Sequence, residues 1–299
     1  KLYSLNTGFL MPPSQKATVI FPGYDGGAEW GGPAFDEETG LLYINANEMP
    51  WILQLRKSEN KSMDESWLQA GQRIYTNTCM ACHGTNRQGT GNYPSILNVH
   101  TKYTAAQFDE LLQTGRRMMP AFKQLSAEER SAVASFILED KKGQQKKFMQ
   151  VAAIDTFLNL PYTGTGYNKF LTKDGWPAIK PPWGTLNAIN LNTGNIEWKI
   201  PLGEIKEFKD KGVVTGTENY GGPVVTAGGV LFIAATSDSK FRAFNKRTGK
   251  LLWETALPAC GFATPAVYEL YGKQYVVIAC GGGKLNTRSG DAYVAFALP

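Results

Sequence analysis

The pentapeptide Cys79-Met80-Ala81-Cys82-His83 constrains this chain more than any other feature of its sequence. Two thiols three positions apart, followed at once by a histidine, form the attachment signature of a c-type haem. In that chemistry the cysteines add to the porphyrin vinyl groups, and the histidine becomes an axial ligand of the iron. The sequence therefore predicts a haem held covalently by Cys79 and Cys82, with His83 on the iron.

The alternatives are a chance Cys-x-x-Cys or half of a zinc site, which needs a second pair of ligands. The other cysteines, Cys260 and Cys280, lie far away in the chain, and the other histidine is His100. A haem requires a histidine directly after the second cysteine and a zinc site does not, so the haem interpretation is favoured. In an oxidising compartment Cys260 and Cys280 are expected either to form a disulfide or to remain two buried thiols.

Three stretches around the motif carry apolar residues at helical spacing, at 65–78, 104–114 and 126–140. The second and third begin with the capping-box spacing, a Ser or Thr followed three residues later by Gln or Glu. The sequence therefore predicts helices before and after the haem motif.

An electron-transfer haem needs a sixth ligand, and a methionine thioether is the ligand that raises its reduction potential. The stretch from Gly71 to Asp140 resembles the class I cytochrome c family, in which the methionine of a Met-Pro-x-Phe segment binds the iron. This resemblance implies that Met119 is the ligand, since Pro120 and Phe122 follow it. Met118 is the alternative ligand, and the other possibility is that both methionines only fill the core.

The rest of the chain has a different composition, rich in glycine and in short apolar runs bounded by Gly, Asn and Asp. Such runs are typical of short antiparallel strands. We therefore expect residues 56–150 to form an all-α cytochrome domain inserted between two β-rich parts, 1–55 and 151–299. The clearest runs are Leu41–Asn45, Val230–Ala234 and Tyr275–Ala279.

Two internal repeats organise the β-rich parts. Ala188–Gly194 with Trp198 recurs 55 residues later as Ala243–Gly249 with Trp253. Gly31-Gly32-Pro33 before one apolar run likewise matches Gly221-Gly222-Pro223 before another, and Ala263-Thr264-Pro265 is a weaker copy. Radial repetition of short sheets predicts a β-propeller in which each tryptophan packs between neighbouring blades.

The repeat Ala-x-Asn-x-x-Thr-Gly-x-x-x-Trp resembles the tryptophan-docking motif of the eight-bladed quinoprotein dehydrogenases, which bind pyrroloquinoline quinone (PQQ) on the propeller axis. Within that family the chain is most similar to the membrane-bound glucose dehydrogenase group. The resemblance implies that the chain is a C-terminal portion with about four of eight blades. It also places the calcium ligands and the catalytic base upstream, so no catalytic residue is assigned here. The segments that carry the resemblance are Val19–Gly23, Glu29–Gly32, Pro181–Gly184, Gly221–Thr236 and Gly272–Ile278.

The same resemblance implies which side chains approach PQQ. In the family the quinone lies near loops that precede the innermost strands, and four residues of this chain occupy matching positions. Trp30 is equally well explained by packing between blades. The four are Tyr24, Trp30, Asn219 and Tyr220.

The implied function is oxidation of a sugar or alcohol through PQQ, with electrons passing to the haem and then to a downstream cytochrome or quinone pool. The alternative is a non-catalytic periplasmic electron carrier in which the propeller serves as a docking scaffold. Because thioether attachment of haem takes place in an exported compartment, we expect a periplasmic protein whose upstream sequence is missing or removed.

Charge and hydropathy exclude other classes of function. The net charge of +5 lies wholly in residues 56–147, which hold 14 Lys and Arg against 9 Asp and Glu. No aromatic residues interleave with these charges, so nucleic-acid binding is not expected, and a solvated face is favoured over an acidic redox partner. No apolar run approaches the length of a membrane span.

Overall fold

The computed structural model describes residues 4–28, 31–58, 64–89, 93–149 and 160–298. The chain divides into two compact units, which are described separately. The first unit consists of Lys1–Val19 and Ile52–Asn168, and the second of Ile20–Trp51 and Lys169–Pro299. The boundaries predicted at residues 56 and 150 stay a prediction. Three short strands occur where the chain passes between the units: β1 (Thr18–Ile20), β4 (Trp51–Leu53) and β7 (Asn168–Lys169).

The first unit contains the helices that flank the Cys-x-x-Cys-His motif. One two-stranded antiparallel sheet, formed by β5 and β6, accompanies them. The helices predicted around the motif are confirmed, although the last of them ends earlier than expected. The elements are β5 (Leu55–Lys57), α1 (Trp67–Ile74), a π-helical turn (Tyr75–Cys79), α2 (Met80–His83), a 3-10 turn (Val99–Thr101), α3 (Ala105–Thr114), α4 (Ala127–Ile137), a second 3-10 turn (Gly143–Gln145) and β6 (Tyr162–Gly164).

Capping boxes fix where these helices begin. In each, the hydroxyl accepts a hydrogen bond from the third helical residue, whose side chain accepts one from the cap backbone. Two of the three were predicted from sequence, and the box at the start of α1 was not. The pairs are Ser66 with Gln69, Thr104 with Gln107, and Ser126 with Glu129.

Helices α1 and α4 cross at a glycine. A Cβ at Gly71 would overlap the carbonyl oxygen of Ala132, so the two backbones touch directly. Around this crossing lie buried apolar side chains of all three longer helices, including Ile74, Leu112 and Val133. The crossing therefore fixes the position of the segment that follows α1, which is the Cys-x-x-Cys-His motif. Among the described residues, no helix is long and apolar enough to cross a membrane.

The second unit is built from antiparallel sheets. Two sheets have four strands, in the orders β2-β3-β8-β9 and β10-β11-β12-β13, and a third has the order β14-β15-β16. The first sheet is discontinuous in sequence, because the chain leaves it after β3 and returns at β8. The bounds are β2 (Ala34–Asp36), β3 (Leu41–Asn47), β8 (Gly184–Asn190), β9 (Ile196–Pro201), α5 (Lys206–Lys209), β10 (Val224–Val225), β11 (Val230–Ile233), β12 (Lys240–Asn245), β13 (Leu251–Ala256), β14 (Ala266–Leu270), β15 (Lys273–Cys280) and β16 (Ala292–Ala297).

The tryptophan repeat forms equivalent hairpins in the two four-stranded sheets. The pairing of β8 with β9 and that of β12 with β13 both shift register at the same position of the repeat, after Ala188 and after Ala243. Trp198 donates from Nε1 to the carbonyl oxygen of Lys246 at 3.3 Å, in the turn of the next sheet. Trp253 packs against Phe296 of the third sheet, with ring centroids 5.4 Å apart. The prediction that these tryptophans pack between neighbouring sheets is confirmed.

The two cysteines of the second unit lie near the β14–β15 hairpin. The hairpin turns at Tyr271 and Gly272, both with positive φ. Cys260 and Cys280 are buried free thiols. Of the two outcomes left open by the sequence, the structure has the unpaired one.

Candidate functional site

The Cys-x-x-Cys-His motif lies on a short turn that is held at both ends. The π-helical turn delivers Cys79, and α2 carries Cys82 and His83 until Gly84 ends the helix at φ 76°. Tyr75, at the start of the π-helical turn, donates its hydroxyl to the carbonyl oxygen of Gly84 at 2.6 Å. Single π turns within helices are frequent at functional sites. The motif is thus a fixed platform for its two thiols and its imidazole.

The His83 imidazole is oriented by a main-chain carbonyl. Its Nδ1 lies 2.9 Å from the carbonyl oxygen of Pro94. Because a carbonyl only accepts hydrogen bonds, Nδ1 must carry the proton, and the lone pair of Nε2 remains for another partner. Metal-binding histidines usually have this second hydrogen bond, which fixes the tautomer.

The two thiols of the motif are neutral. Burial raises the pKa of Cys79 to about 12, and the neighbouring Cys82 adds to the effect. Burial also raises the pKa of Cys82, although a hydrogen bond with Tyr93 opposes the shift. In the part of the chain that the structure describes, no group of three or more His, Cys, Asp or Glu side chains could hold a metal ion. The zinc alternative therefore has no further protein ligands among those residues.

The turn between α3 and α4 separates the two candidate methionines. Arg116 and Met119 exchange backbone hydrogen bonds of 2.9 and 3.0 Å around Arg117, which has a φ of 55°. This turn leaves Met118 67% exposed, whereas Met119 is half-buried and packs against the core of the first unit. The assignment of Met119 to iron stays a prediction, and its inward position distinguishes it from Met118.

A segment that the sequence analysis did not single out covers the haem motif. Tyr167 donates its backbone N–H to the carbonyl oxygen of Ala81, between the two cysteines, at 3.3 Å. Gly166 makes this approach possible, because a Cβ there would overlap the same carbonyl. The Tyr167 ring also lies 5.1 Å from that of Tyr93, the residue that bonds Cys82. Residues 162–168, the return segment, thus pack on the turn that carries the Cys-x-x-Cys-His motif.

In the second unit, the loops that precede the first strands of three sheets, β2, β10 and β14, meet. A Cβ on Gly31 would overlap the backbone of Gly221. Gly222 donates its N–H to Thr264 Oγ1 at 3.0 Å, and that hydroxyl donates to the carbonyl oxygen of Gly31 at 2.8 Å. These residues are the glycine pairs and the Ala-Thr step of the second repeat. The repeat therefore marks where the loops converge.

Three buried asparagines fix the backbone of one converging loop. Asn45 donates to Asn219 Oδ1 at 2.6 Å and to the carbonyl oxygen of Gly221 at 2.9 Å. Asn47 donates to the carbonyl oxygen of Asn219 at 3.0 Å and accepts from its backbone N–H at 2.8 Å. The Asn219 amide also donates to Ala46. Sequence reasoning missed Asn45 and Asn47, although their alternation along β3 places both side chains on one face.

Three of the four side chains predicted to approach PQQ are described, and they lie in or beside these loops. Asn219 is fully buried and is engaged in the asparagine cluster, so it holds the loop in place. Tyr24 is 42% exposed and meets Trp51 edge-on, at 5.6 Å between centroids. Tyr220 is buried with the Lys284 ammonium 3.9 Å above its ring. Trp30 lies outside the described residues, and the PQQ role of all four stays a prediction.

A buried carboxyl pair accompanies them. Glu218, directly before Asn219, has a side chain only 9% exposed and accepts from Lys169 Nζ at 2.6 Å. It also lies within hydrogen-bonding distance of Asp25, directly after Tyr24. Burial raises the pKa of Glu218, Lys169 opposes this shift, and Asp25 adds to it. Glu218 Oε1 and Asp25 Oδ2 are both buried without a donor among the described residues.

Sequence comparison identifies the family. The family model for the β-propeller domain of PQQ-dependent glucose, ethanol and alcohol dehydrogenases matches residues 3–90 and 83–276. The chain belongs to this family. The resemblance inferred from the tryptophan repeat is thereby confirmed at the level of the family.

The chain is also similar to individual proteins. Quinoprotein glucose dehydrogenase of Escherichia coli (strain K12) is 29% identical over 300 residues, which cover 98% of this chain and 28% of that protein. Quinoprotein glucose dehydrogenase A of Acinetobacter calcoaceticus is 43% identical over 152 residues, covering 49% of this chain and 19% of that protein. The solved quinohemoprotein alcohol dehydrogenase from Comamonas testosteroni aligns with 94% of this chain and 28% of its own, at 18% identity and a TM-score of 0.46. The chain thus spans less than a third of the length of these relatives.

Proposed function

We propose that this chain is the C-terminal portion of a quinohaemoprotein dehydrogenase, which oxidises a sugar or alcohol through PQQ and passes the electrons to a covalently bound c-type haem. In this proposal the second unit supplies about four blades of an eight-bladed propeller of the glucose dehydrogenase type. The helices of the first unit form the inserted class I cytochrome. The observation that carries the proposal is the His83 imidazole, held with Nε2 available beside two thiols, in a chain of the PQQ family.

The residues of the first unit fit a haem. Cys79 and Cys82 lie on one fixed turn, which suits two thioether bonds to one porphyrin. His83 has the tautomer that leaves Nε2 for iron, and Met119 rather than Met118 faces inward as the sixth ligand. The haem supplies one-electron exchange when it is bound. The protein supplies the ligands, their orientation and the exclusion of water.

The second unit fits a planar polar cofactor at its converging loops. Contacts between glycines bring the loops together, and the asparagine cluster holds their backbone still. Tyr24 and Tyr220 place aromatic rings beside these loops, and the Lys284 ammonium next to Tyr220 supplies a positive charge there. PQQ supplies the two-electron oxidation of a carbon when it is bound. The catalytic base and the calcium ligands belong to the upstream blades of the complete enzyme.

The compartment and the acceptor follow from the same proposal. Because thioether attachment of a haem takes place in an exported compartment, the proposal includes a periplasmic location, where electrons leave the protein one at a time. A downstream cytochrome or quinone pool would receive them. A small sugar or alcohol is the substrate, and a panel of aldoses and alcohols identifies the compound.

The first experiment tests the haem. The chain is produced with cytochrome maturation, and covalent haem is measured after denaturation by the spectrum of its pyridine complex. The parent and His100→Ala should retain the haem, because His100 is an exposed histidine outside the motif. Cys79→Ala with Cys82→Ala should lose it completely. Equal haem in the parent and the double variant would contradict the proposal.

The second experiment tests the dehydrogenase. PQQ, calcium and a panel of aldoses and alcohols are added to this chain and to the longer protein that contains the upstream blades, and haem reduction is followed. Reduction in the longer protein alone is the expected result. If neither protein reduces its haem while a chemical reductant does, the electron-carrier alternative replaces the dehydrogenase.

A further inference from the structure

The ion pair with Lys169 accounts for one oxygen of Glu218, but no contact accounts for the buried Glu218 Oε1 and Asp25 Oδ2. Each residue lies in one of the converging loops, next to a side chain assigned to PQQ. Burying a carboxyl oxygen without a hydrogen-bond donor is costly, and burying two side by side is more so. The pair is therefore the kind of feature that a protein retains for chemistry rather than for stability.

One shared proton resolves the arrangement. Two neighbouring carboxylates do not both ionise readily, because like charges close together raise the pKa of one of them. A proton between Glu218 and Asp25 gives both partnerless oxygens a hydrogen bond. The pair then carries one negative charge, which the Lys169 ammonium at 2.6 Å balances.

We propose that Asp25 and Glu218 hold one proton between them and serve as a proton-relaying pair of the PQQ pocket, distinct from the catalytic base of the upstream blades. This inference rests on the proposed function. Oxidation of an alcohol to a carbonyl removes two electrons and two protons from the substrate. The electrons leave through PQQ to the one-electron haem, so the two protons must reach solvent by another route.

The pair is suited to that route because it has two protonation states. With one proton it balances Lys169, and with a second proton both carboxyls are neutral and the Lys169 ammonium loses its counter-charge, which favours release of the second proton. The pair accepts one proton from the pocket on going from the first state to the second and returns it to water on going back, so two such cycles carry both protons of one oxidation. Of the described titratable groups, those that act on Glu218 are Lys169 from β7 and Asp25 from the loop before β2.

The first test needs neither cofactor. A protonated carboxyl has an infrared C=O stretching band that a carboxylate lacks, and it is measured on the purified chain at neutral pH. The parent should show this band, and Glu218→Gln and Asp25→Asn should each lose it. Glu48→Gln is the matched control, because Glu48 accepts from Lys199 at the surface of the same unit. A parent without the band, or one whose band both variants retain, would overturn the shared proton.

The second test uses the longer, PQQ-loaded protein and measures the pH profile of kcat. Glu218→Gln should lower kcat by ~10²-fold, the usual contribution of a positioned proton-transfer group, and should remove one ionisation from the profile. Asp25→Asn should reproduce the lost ionisation even if Glu218→Gln folds poorly. An infrared band with an unchanged profile would make the pair structural and overturn its role. Absence of any PQQ-dependent oxidation in the parent would instead disprove the proposed function while the band persisted.

Discussion

The two units of this protein place their candidate sites by different means. In the first unit, the residues that shape the Cys-x-x-Cys-His turn lie close in sequence, as Tyr75 does to Gly84, nine residues away. In the second unit, the residues that shape the converging loops are far apart, as Asn45 is from Asn219, 174 residues away. The first site is therefore formed by a local sequence motif, whereas the second forms only when distant repeats come together.

The largest expected effect concerns the local site. Replacing Met119 with Ala should abolish the methionine-to-iron charge-transfer band of the haem-loaded chain, because the proposed thioether ligand of the iron is lost. Met118→Ala is the matched control and should leave the band intact, since Met118 is exposed. The reverse result would mean that the Met-Pro-x-Phe pattern assigns the wrong neighbour.

A glycine in the converging loops should tolerate substitution by alanine less well than a glycine on the surface. Gly222→Ala should lower the free energy of unfolding by about 3 kcal/mol, because the new Cβ overlaps the Gly32 and Gly31 carbonyls. Gly228→Ala is the control, since a Cβ at Gly228 meets nothing within 4 Å. Thermal unfolding of both variants measures the difference. Equal stability would show that the loops do not depend on this contact.

A smaller loss is expected when the asparagine cluster is opened. Asn45→Ala should cost about 2 kcal/mol, because Asn219 Oδ1 and the Gly221 carbonyl oxygen lose their buried donor. Denaturant unfolding measures this cost. Asn192→Ala serves for comparison, since Asn192 is an exposed turn residue of the same unit. If the two variants were equally stable, distant hydrogen bonds would not be what holds the loop.

The smallest expected effect concerns the N-cap of α4 in the first unit. Ser126→Ala should cost about 1 kcal/mol, because Glu129 N–H loses the hydroxyl that caps α4. Ser126→Asp should restore most of that loss, since aspartate is also a good N-cap. Thermal unfolding compares the three proteins. Failure of the aspartate to rescue would mean that the hydroxyl does more than cap the helix.

The sequence predicts features that short-range chemistry determines. The capping boxes place the starts of α3 and α4, and Asn-x-x-Thr-Gly places two hairpins, because each signal lies within the element that it specifies. Membership in the PQQ family was likewise readable from the tryptophan repeat. The periodicity of the last helix runs to about Asp140, but α4 ends at Ile137.

Contacts between distant loops are a different matter. No sequence pattern near Asp25 predicts its contact with Glu218, and none near Gly166 predicts its contact with Ala81. Such contacts depend on which loops the sheets bring together. The sequence around a loop glycine or carboxylate is the same whether or not it has a distant partner. The asparagine alternation in β3 was visible, yet its partner Asn219 was not.

The return segment has a consequence for the order in which the mature protein is made. Gly166 and Tyr167 close over Ala81, between the two thiols that are proposed to carry the porphyrin. Under the proposed function, covalent attachment requires both thiols to be accessible, which the packed return segment prevents. The proposal therefore implies that haem attachment precedes the packing of residues 162–168, and that a chain in which this segment packs first stays without haem.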